Sequence, residues 1–228
     1  MQLLNPISVG NVRIDVPVIL APMTGVTDMP FRTLVRRYGC GLNVTEMIAS
    51  PAAIRETRQS IQKAMWDPAE DPVSMQLVGC EPAQMAEAAK LVEDRGAAII
   101  DINMGCPVRK IVNGDAGSAL MRDLPLATRL IEATVMAVKV PVTVKMRMGW
   151  DHASLNAPEL AHIAEDLGAQ LVTVHGRTRE MRGCDPGVAD WRMIADVVEA
   201  VGHRVPVVAN GAIFAPSDAR ACLEATGA

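Results

Sequence analysis

Cys106 stands in the run Asp101-Ile102-Asn103-Met104-Gly105-Cys106-Pro107, which sets a carboxylate, an amide and a thiol along a segment that begins apolar. A thiol with an ordinary pKa of about 8.5 is mostly protonated at neutral pH and serves as a general acid. The alternative, a small buried filler, is the reading that suits Cys40, Cys80 and Cys222. Farther on, Lys145 follows Val142-Thr143-Val144, His175 leads Gly176-Arg177-Thr178-Arg179, and Asn210-Gly211 follows an apolar run from Pro206. A lysine ammonium in an apolar surround loses its proton unless an anion is near, and that anion is either a ligand gaining negative charge or Asp101. A lone histidine serves equally as a hydrogen-bonded core residue. Gly211, having no side chain, lets the backbone come close to a ligand phosphate.

These residues share a placement. Ala98-Ile99-Ile100 has the length and branching of a strand, and the Gly and Pro beyond it forbid a helix, so a strand delivers Asp101, Asn103 and Cys106 onto a loop. The same pattern recurs along the chain. Apolar runs at 18–23, 42–47, 73–77, 142–145, 171–175 and 206–210 alternate with helical periodicities. The first helix carries Phe31, Leu34, Val35 and Tyr38 on one face; another, opened by Pro82, carries Met85, Ala88, Ala89 and Val92. A short hairpin is expected at about 5–15, around Gly10-Asn11. Strict strand-helix alternation predicts an α/β protein with parallel strands, either an open sheet or a TIM-type (β/α) barrel. No Gly-x-Gly-x-x-Gly follows the first strand, which weighs against a dinucleotide-type open sheet. Counting every second residue places Gln76, Asp101, Asn103, Lys145, Arg147, His175 and Asn210 at the inward C-terminal strand ends. So many buried polar groups need a ligand or one another, and barrel active sites lie at that end.

The chain has 228 residues, 50% of them hydrophobic, a net charge of −4 and five cysteines without paired Cys-x-x-Cys spacing. This is expected to be one domain spanning 1–228, soluble, intracellular and cytoplasmic, with reduced thiols and no metal. Arg55, Arg58, Lys63, Arg109, Lys110, Arg147, Arg177, Arg179 and Arg182 fall at strand ends or in the loops after them, while Glu87, Glu93, Asp94, Glu159, Glu165 and Asp166 fall on helices. A cationic mouth on an acidic body suits phosphate binding despite the negative sum, with Asp151, Glu180, Asp185 and Asp190 diluting the pattern.

The run from Asp101 to Pro107, with Gly117-Ser118 behind it, resembles the signature of the tRNA-dihydrouridine synthases, flavoenzymes that reduce a uridine of tRNA. The likeness extends from about Ile19 to the last residue and is nearest to the bacterial B-type subgroup. It implies FMN as cofactor, NADPH as reductant and tRNA as partner. It implies that Pro22 and Met23 pack on the flavin ring, that Gln76 bonds its polar edge, and that Lys145 faces its pyrimidine edge. His175 and Asn210-Gly211 are then further flavin contacts. Asn103, Arg109, Lys110, Arg147, Arg177 and Arg179 become substrate contacts. Cys106 is the proton donor to C5 of the uracil while the flavin passes hydride to C6 from the opposite face.

The chain departs from that family in two places. The loop from Met181 to Val188 lacks the usual aromatic residue, and the chain stops before the eighth strand, its phosphate loop and the C-terminal helical domain that grips tRNA. On this reading the family enzyme is monomeric, whereas the chain as given has open strand edges prone to aggregation or pairing, and holds flavin and activity weakly. Two other readings stay open: an FMN barrel reducing a free pyrimidine or small enone, and a non-catalytic remnant.

Overall fold

The computed structural model describes residues 5–181 and 189–228, so Arg182, Cys184 and the rest of the departing loop at 182–188 lie outside the described residues. The chain divides into two compact units, one of Met1–Ile102 with Glu132–Thr143 and the other of Asn103–Ile131 with Val144–Ala228.

The first unit opens with an antiparallel hairpin, β1 (Ile7–Val9) and β2 (Val12–Ile14), which turns at Gly10, φ 58°, and buries Val9 and Ile14. There follow β3 (Ile19–Leu20), α1 (Met29–Arg37), β4 (Leu42–Val44), β5 (Ile48–Ala49), α2 (Ser50–Ile54), α3 (Arg58–Lys63), a 3-10 turn at Pro68–Glu70, β6 (Val73–Val78), α4 (Pro82–Asp94) and the start of β7 (Ile99–Met104). The strands pair in parallel in the order β3-β4-β6-β7, with Asn43 opposite Val73 and Gln76 opposite Asp101. Every residue of β6 and β7 is buried, as expected of strands covered on both faces. The face of α4 that packs inward is Met85, Ala88, Ala89 and Val92, the set its periodicity predicts.

Two expectations fail in this unit. The apolar run at 18–23 yields only the two paired residues of β3, because Pro17 and Pro22 remove ladder donors on either side. The inward face of α1 is also not the apolar one: Phe31, Leu34 and Tyr38 remain 36%, 48% and 83% exposed, while Arg32 is 1% exposed. The guanidinium of Arg32 reaches Glu70 at 2.7 Å and also donates to the carbonyls of Thr27 and Met65. A fully partnered cation can be buried, and periodicity counted on apolar residues alone passes over it.

The second unit holds the end of β7, α5 (Arg109–Val112), a 3-10 turn at Gly117–Arg122, the first part of α6 (Leu124–Ala137), most of β8 (Val142–Arg147), α7 (Ala157–Asp166), β9 (Val172–His175), α8 (Arg192–Val201), β10 (Val207–Asn210) and α9 (Pro216–Thr226). Its strands are parallel in the order β8-β9-β10, with Arg147 opposite His175 and His175 opposite Asn210. Along β9 the fully buried Val172 and Val174 alternate with half-buried Thr173 and His175. That alternation presents His175 on a face with solvent access. Among the described residues, no helix is long and apolar enough to cross a membrane.

Candidate active site

The end of β7 is shaped by Asn103. Its side-chain Oδ1 accepts from the backbone N–H groups of Gly105 at 3.1 Å and Cys106 at 2.9 Å, an Asx-type turn that bends the chain out of the strand. The turn is backed from behind. Ser118 N–H donates to the Cys106 carbonyl at 3.0 Å, and Gly117 passes so close, at φ 61°, that a Cβ there would lie 2.8 Å from that oxygen. From the end of β8, Arg147 Nε donates to the Gly105 carbonyl at 2.6 Å and its Nη1 to the Thr178 carbonyl at 2.8 Å. Arg147 is thus a buried brace between two loops, and Asn103 a turn former. Both were expected as substrate contacts, and both engage the backbone of their own unit.

Electrostatics follow from this packing. Burial pushes the Cys106 thiol above its ordinary pKa, against the smaller lowering effects of the Val108 backbone and the Arg147 charge, so the sulfur keeps its proton at neutral pH. Burial and the neighbouring Arg177 lower Arg147 to about 10, which still leaves it a cation.

Across β8, β9 and β10 four of the predicted flavin contacts, Lys145, His175, Asn210 and Gly211, lie on or just past adjacent strands. Lys145 Nζ donates to Asn210 Oδ1 at 3.0 Å. His175 is lowered to about 2 by burial first and then by Lys145, Arg147 and Arg177, so its imidazole is neutral at any physiological pH. Gly211 adopts φ 114°, and a Cβ there would lie 2.7 Å from His175 Cδ2; Trp191 Nε1 donates to its carbonyl at 3.1 Å. Glycine here serves contact with the histidine ring, a closer constraint than approach to a phosphate.

In the first unit, Gln76 Nε2 donates to Asp101 Oδ2 at 2.6 Å and Thr143 Oγ1 to Asp101 Oδ1 at 2.6 Å. Polar groups of neighbouring strands there bond one another. The carbonyl of Met23 accepts from the N–H groups of Val26 and Thr27, and its side chain is exposed. Pro22 is half-buried, and Arg109 and Lys110 are exposed on α5. Arg177 is buried at the end of β9, and Arg179 stacks on Trp150.

Sequence reasoning missed Thr143, Arg122 and Trp150. Thr143 reads as an ordinary strand residue. Trp150 had a signal, being an aromatic in a strand-end loop where no core periodicity accounts for it.

A protonated thiol on a strand-end loop, beside strand ends that carry a lysine, a neutral histidine and buried arginines, defines an α/β protein of the TIM-type (β/α) class with a candidate acid-catalytic centre. A dihydrouridine synthase (Dus) family model matches residues 19–228, and the chain belongs to that family. It is similar to a probable tRNA-dihydrouridine synthase of Rickettsia bellii (strain RML369-C), with 56% identity over 226 residues, 97% of this chain and 67% of the relative. It is also similar to tRNA-dihydrouridine synthase B of Xanthomonas axonopodis pv. citri (strain 306), with 48% identity over 220 residues, 96% of this chain and 65% of the relative. The chain therefore spans about two thirds of the length of these curated relatives. Among solved structures, a histamine dehydrogenase from Rhizobium sp. 4-9 shares the fold, with a TM-score of 0.68 at 14% identity, covering 99% of this chain and 44% of that one.

Proposed function

We propose that this chain carries the catalytic part of a tRNA-dihydrouridine synthase, which reduces the C5–C6 double bond of a uridine in tRNA with FMN as cofactor and NADPH as reductant. The observation that carries the reading is the Cys106 loop: a thiol kept protonated by burial, presented by Asn103 and braced by Arg147. The donor set of the second unit fits a flavin, since a half-buried ammonium, a neutral imidazole and a strand-end amide suit a polar heterocycle that gains negative charge. When bound, such a flavin supplies two electrons and one hydrogen, at C6 of the uracil.

The chain's own residues do the rest. Cys106 gives its proton to C5, forming the C–H bond and leaving a thiolate that takes a proton back from solvent. Arg147, by holding the Gly105 carbonyl, fixes the direction from which the thiol is presented. Lys145, oriented by Asn210, places a positive charge for the reduced cofactor. His175 cannot take up a proton and so is limited to hydrogen bonding. The exposed Arg109 and Lys110 attract phosphate.

The decisive test is dihydrouridine content in tRNA from cells with and without the gene. Loss of one or more dihydrouridines on deletion, restored by the gene, is the expected result. Unchanged modification, together with reduction of free uracil or a small enone by the purified protein, would move the activity to a small-molecule substrate.

A further inference from the structure

Trp150 lies just past β8 in the second unit, and two guanidinium groups sit over its ring: Arg122 Cζ and Arg179 Cζ are each 4.5 Å from the centroid. Three backbone segments are pinned together to bring them there. Met148 N–H donates to the Arg177 carbonyl at 3.1 Å and Arg179 N–H to the Gly149 carbonyl at 3.2 Å, which carries the β8–β9 ladder past both strand ends to the indole. Asn156 Nδ2 donates to the Met121 carbonyl at 2.7 Å, while the Asn156 N–H donates to the Met148 carbonyl at 3.1 Å. That amide therefore ties the 3-10 turn ending in Arg122 to the loop bearing Trp150. Gly149 admits no side chain, since a Cβ would fall 2.0 Å from the Ser154 carbonyl. The arrangement is built by the fold and does not depend on two long side chains meeting by chance.

Two like charges on one ring repel each other, and the aromatic face offsets only part of that cost. The carboxylate beside Arg122 is Asp115, at 3.5 Å and with a largely exposed side chain. Asp151 and Glu180 follow Trp150 and Arg179 in the chain, yet among the described residues Arg179 forms no ion pair within 4.0 Å. With two guanidiniums and Asp115 as the carboxylate paired to them among the described residues, the cluster keeps net positive charge, and each guanidinium is a planar donor of the kind that binds phosphate oxygens. Its three segments are those that build the Cys106 site. The 3-10 turn starts at Gly117, against the Cys106 carbonyl, and the β9 loop runs from His175 through Arg177 to Arg179.

We infer that Arg122 and Arg179, held by Trp150, form a clamp for the RNA backbone phosphate flanking the target uridine, with Trp150 as a positioning residue. This rests on the tRNA reading above. Pre-placing the guanidiniums removes side-chain entropy that two free arginines would lose on binding.

The test uses the flavin-loaded protein and measures tRNA affinity across a salt series, kcat and KM for dihydrouridine formation, and flavin content. Trp150→Ala is expected to weaken tRNA binding about five- to tenfold, the size of two lost cation–π contacts, and to act on KM far more than on kcat. Trp150→Phe, which keeps a ring face, should restore most of the affinity. Arg122→Gln, on an exposed side chain whose loss does not threaten folding, should lower the salt slope by about one phosphate contact. Parent-like affinity and salt slope in Trp150→Ala and Arg122→Gln would overturn the clamp while leaving the synthase reading intact, as would Trp150→Phe binding as poorly as Trp150→Ala. A parent protein that neither binds tRNA nor makes dihydrouridine would overturn both.

Discussion

Cys106 owes its protonation to the place where β7 ends. Burial raises its pKa, and the Arg147 charge, engaged with the Gly105 and Thr178 carbonyls, only partly counters this. In a full-length version of the enzyme, Cys106→Ala should therefore slow uridine reduction by at least about 100-fold, while flavin binding and flavin reduction by NADPH survive. Single-turnover uridine reduction at the parent rate would remove the proton-donor role. Because the proton is needed and the pKa is raised, activity should hold as pH rises through the ordinary thiol range and fall only above it. His175 gives a second test at this scale. Its pKa is near 2 folded against 6.5 for a free imidazole, so below pH 6.5 the unfolded chain binds a proton that the folded one does not. The stabilisation is complete above 6.5 and is lost as pH falls, at up to about 1.4 kcal/mol per pH unit. His175→Gln should flatten the pH dependence of the urea midpoint just below 6.5 in the flavin-free protein; an unchanged slope would place the acid sensitivity in other groups.

At the scale of elements, positive charge gathers near Cys106 on the short turns after the strands, whereas Arg58 and Lys63, expected in a strand-end loop, lie on α3. The helix α5 exposes Arg109 and Lys110 a few residues beyond Cys106, and Arg179 ends the loop after β9. Removing all three charges, with Arg109→Gln, Lys110→Gln and Arg179→Gln combined, should weaken tRNA binding and reduce its salt slope by up to about three counterions. Flavin affinity should barely move. A triple variant with the parent slope would place the tRNA on another surface. Glu87, Glu93, Asp94, Glu159, Glu165 and Asp166 lie on helices as expected, and some serve structure there: Glu93 of α4 accepts from the N–H groups of Lys139 and Val140 beyond the end of α6.

For the molecule as a whole, stability leans on a polar core contact as well as on apolar packing. Arg32 and Glu70 are 1% and 0% exposed at the side chain, and their 2.7 Å pair also engages Asn43 of β4, joining α1 to the 3-10 turn and the sheet of the first unit. Glu70→Ala would leave a buried guanidinium short of its counter-charge and should cost about 3–5 kcal/mol, read as a lower denaturant midpoint. A double change of Arg32 and Glu70 to apolar residues of similar volume should recover much of that loss, because the penalty lies in the unpaired charge. A midpoint unchanged in Glu70→Ala would mean that water reaches Arg32.

The alternation of apolar runs with helical periods determined the parallel α/β order, with a strand at each of the seven expected places, because hydrophobic period and Gly or Pro punctuation are local properties. The α4 face was legible for the same reason. The run around Cys106 was legible as chemistry through its longer match, Asp101 to Pro107 with Gly117-Ser118 behind it, in a strand-to-loop context, since a cysteine in a turn is by itself usually structural. Only the tertiary structure decided that Arg32, and not Phe31 or Leu34, turns inward, since that depends on Glu70, 38 residues away. It alone decided that Asn103 and Arg147 brace the cysteine loop, and that His175 is held neutral by burial first and then by Lys145, Arg147 and Arg177. It alone brought Arg122 and Arg179 onto Trp150. Each of these rests on partners distant in sequence, and a local pattern does not record which charges and carbonyls a side chain will meet.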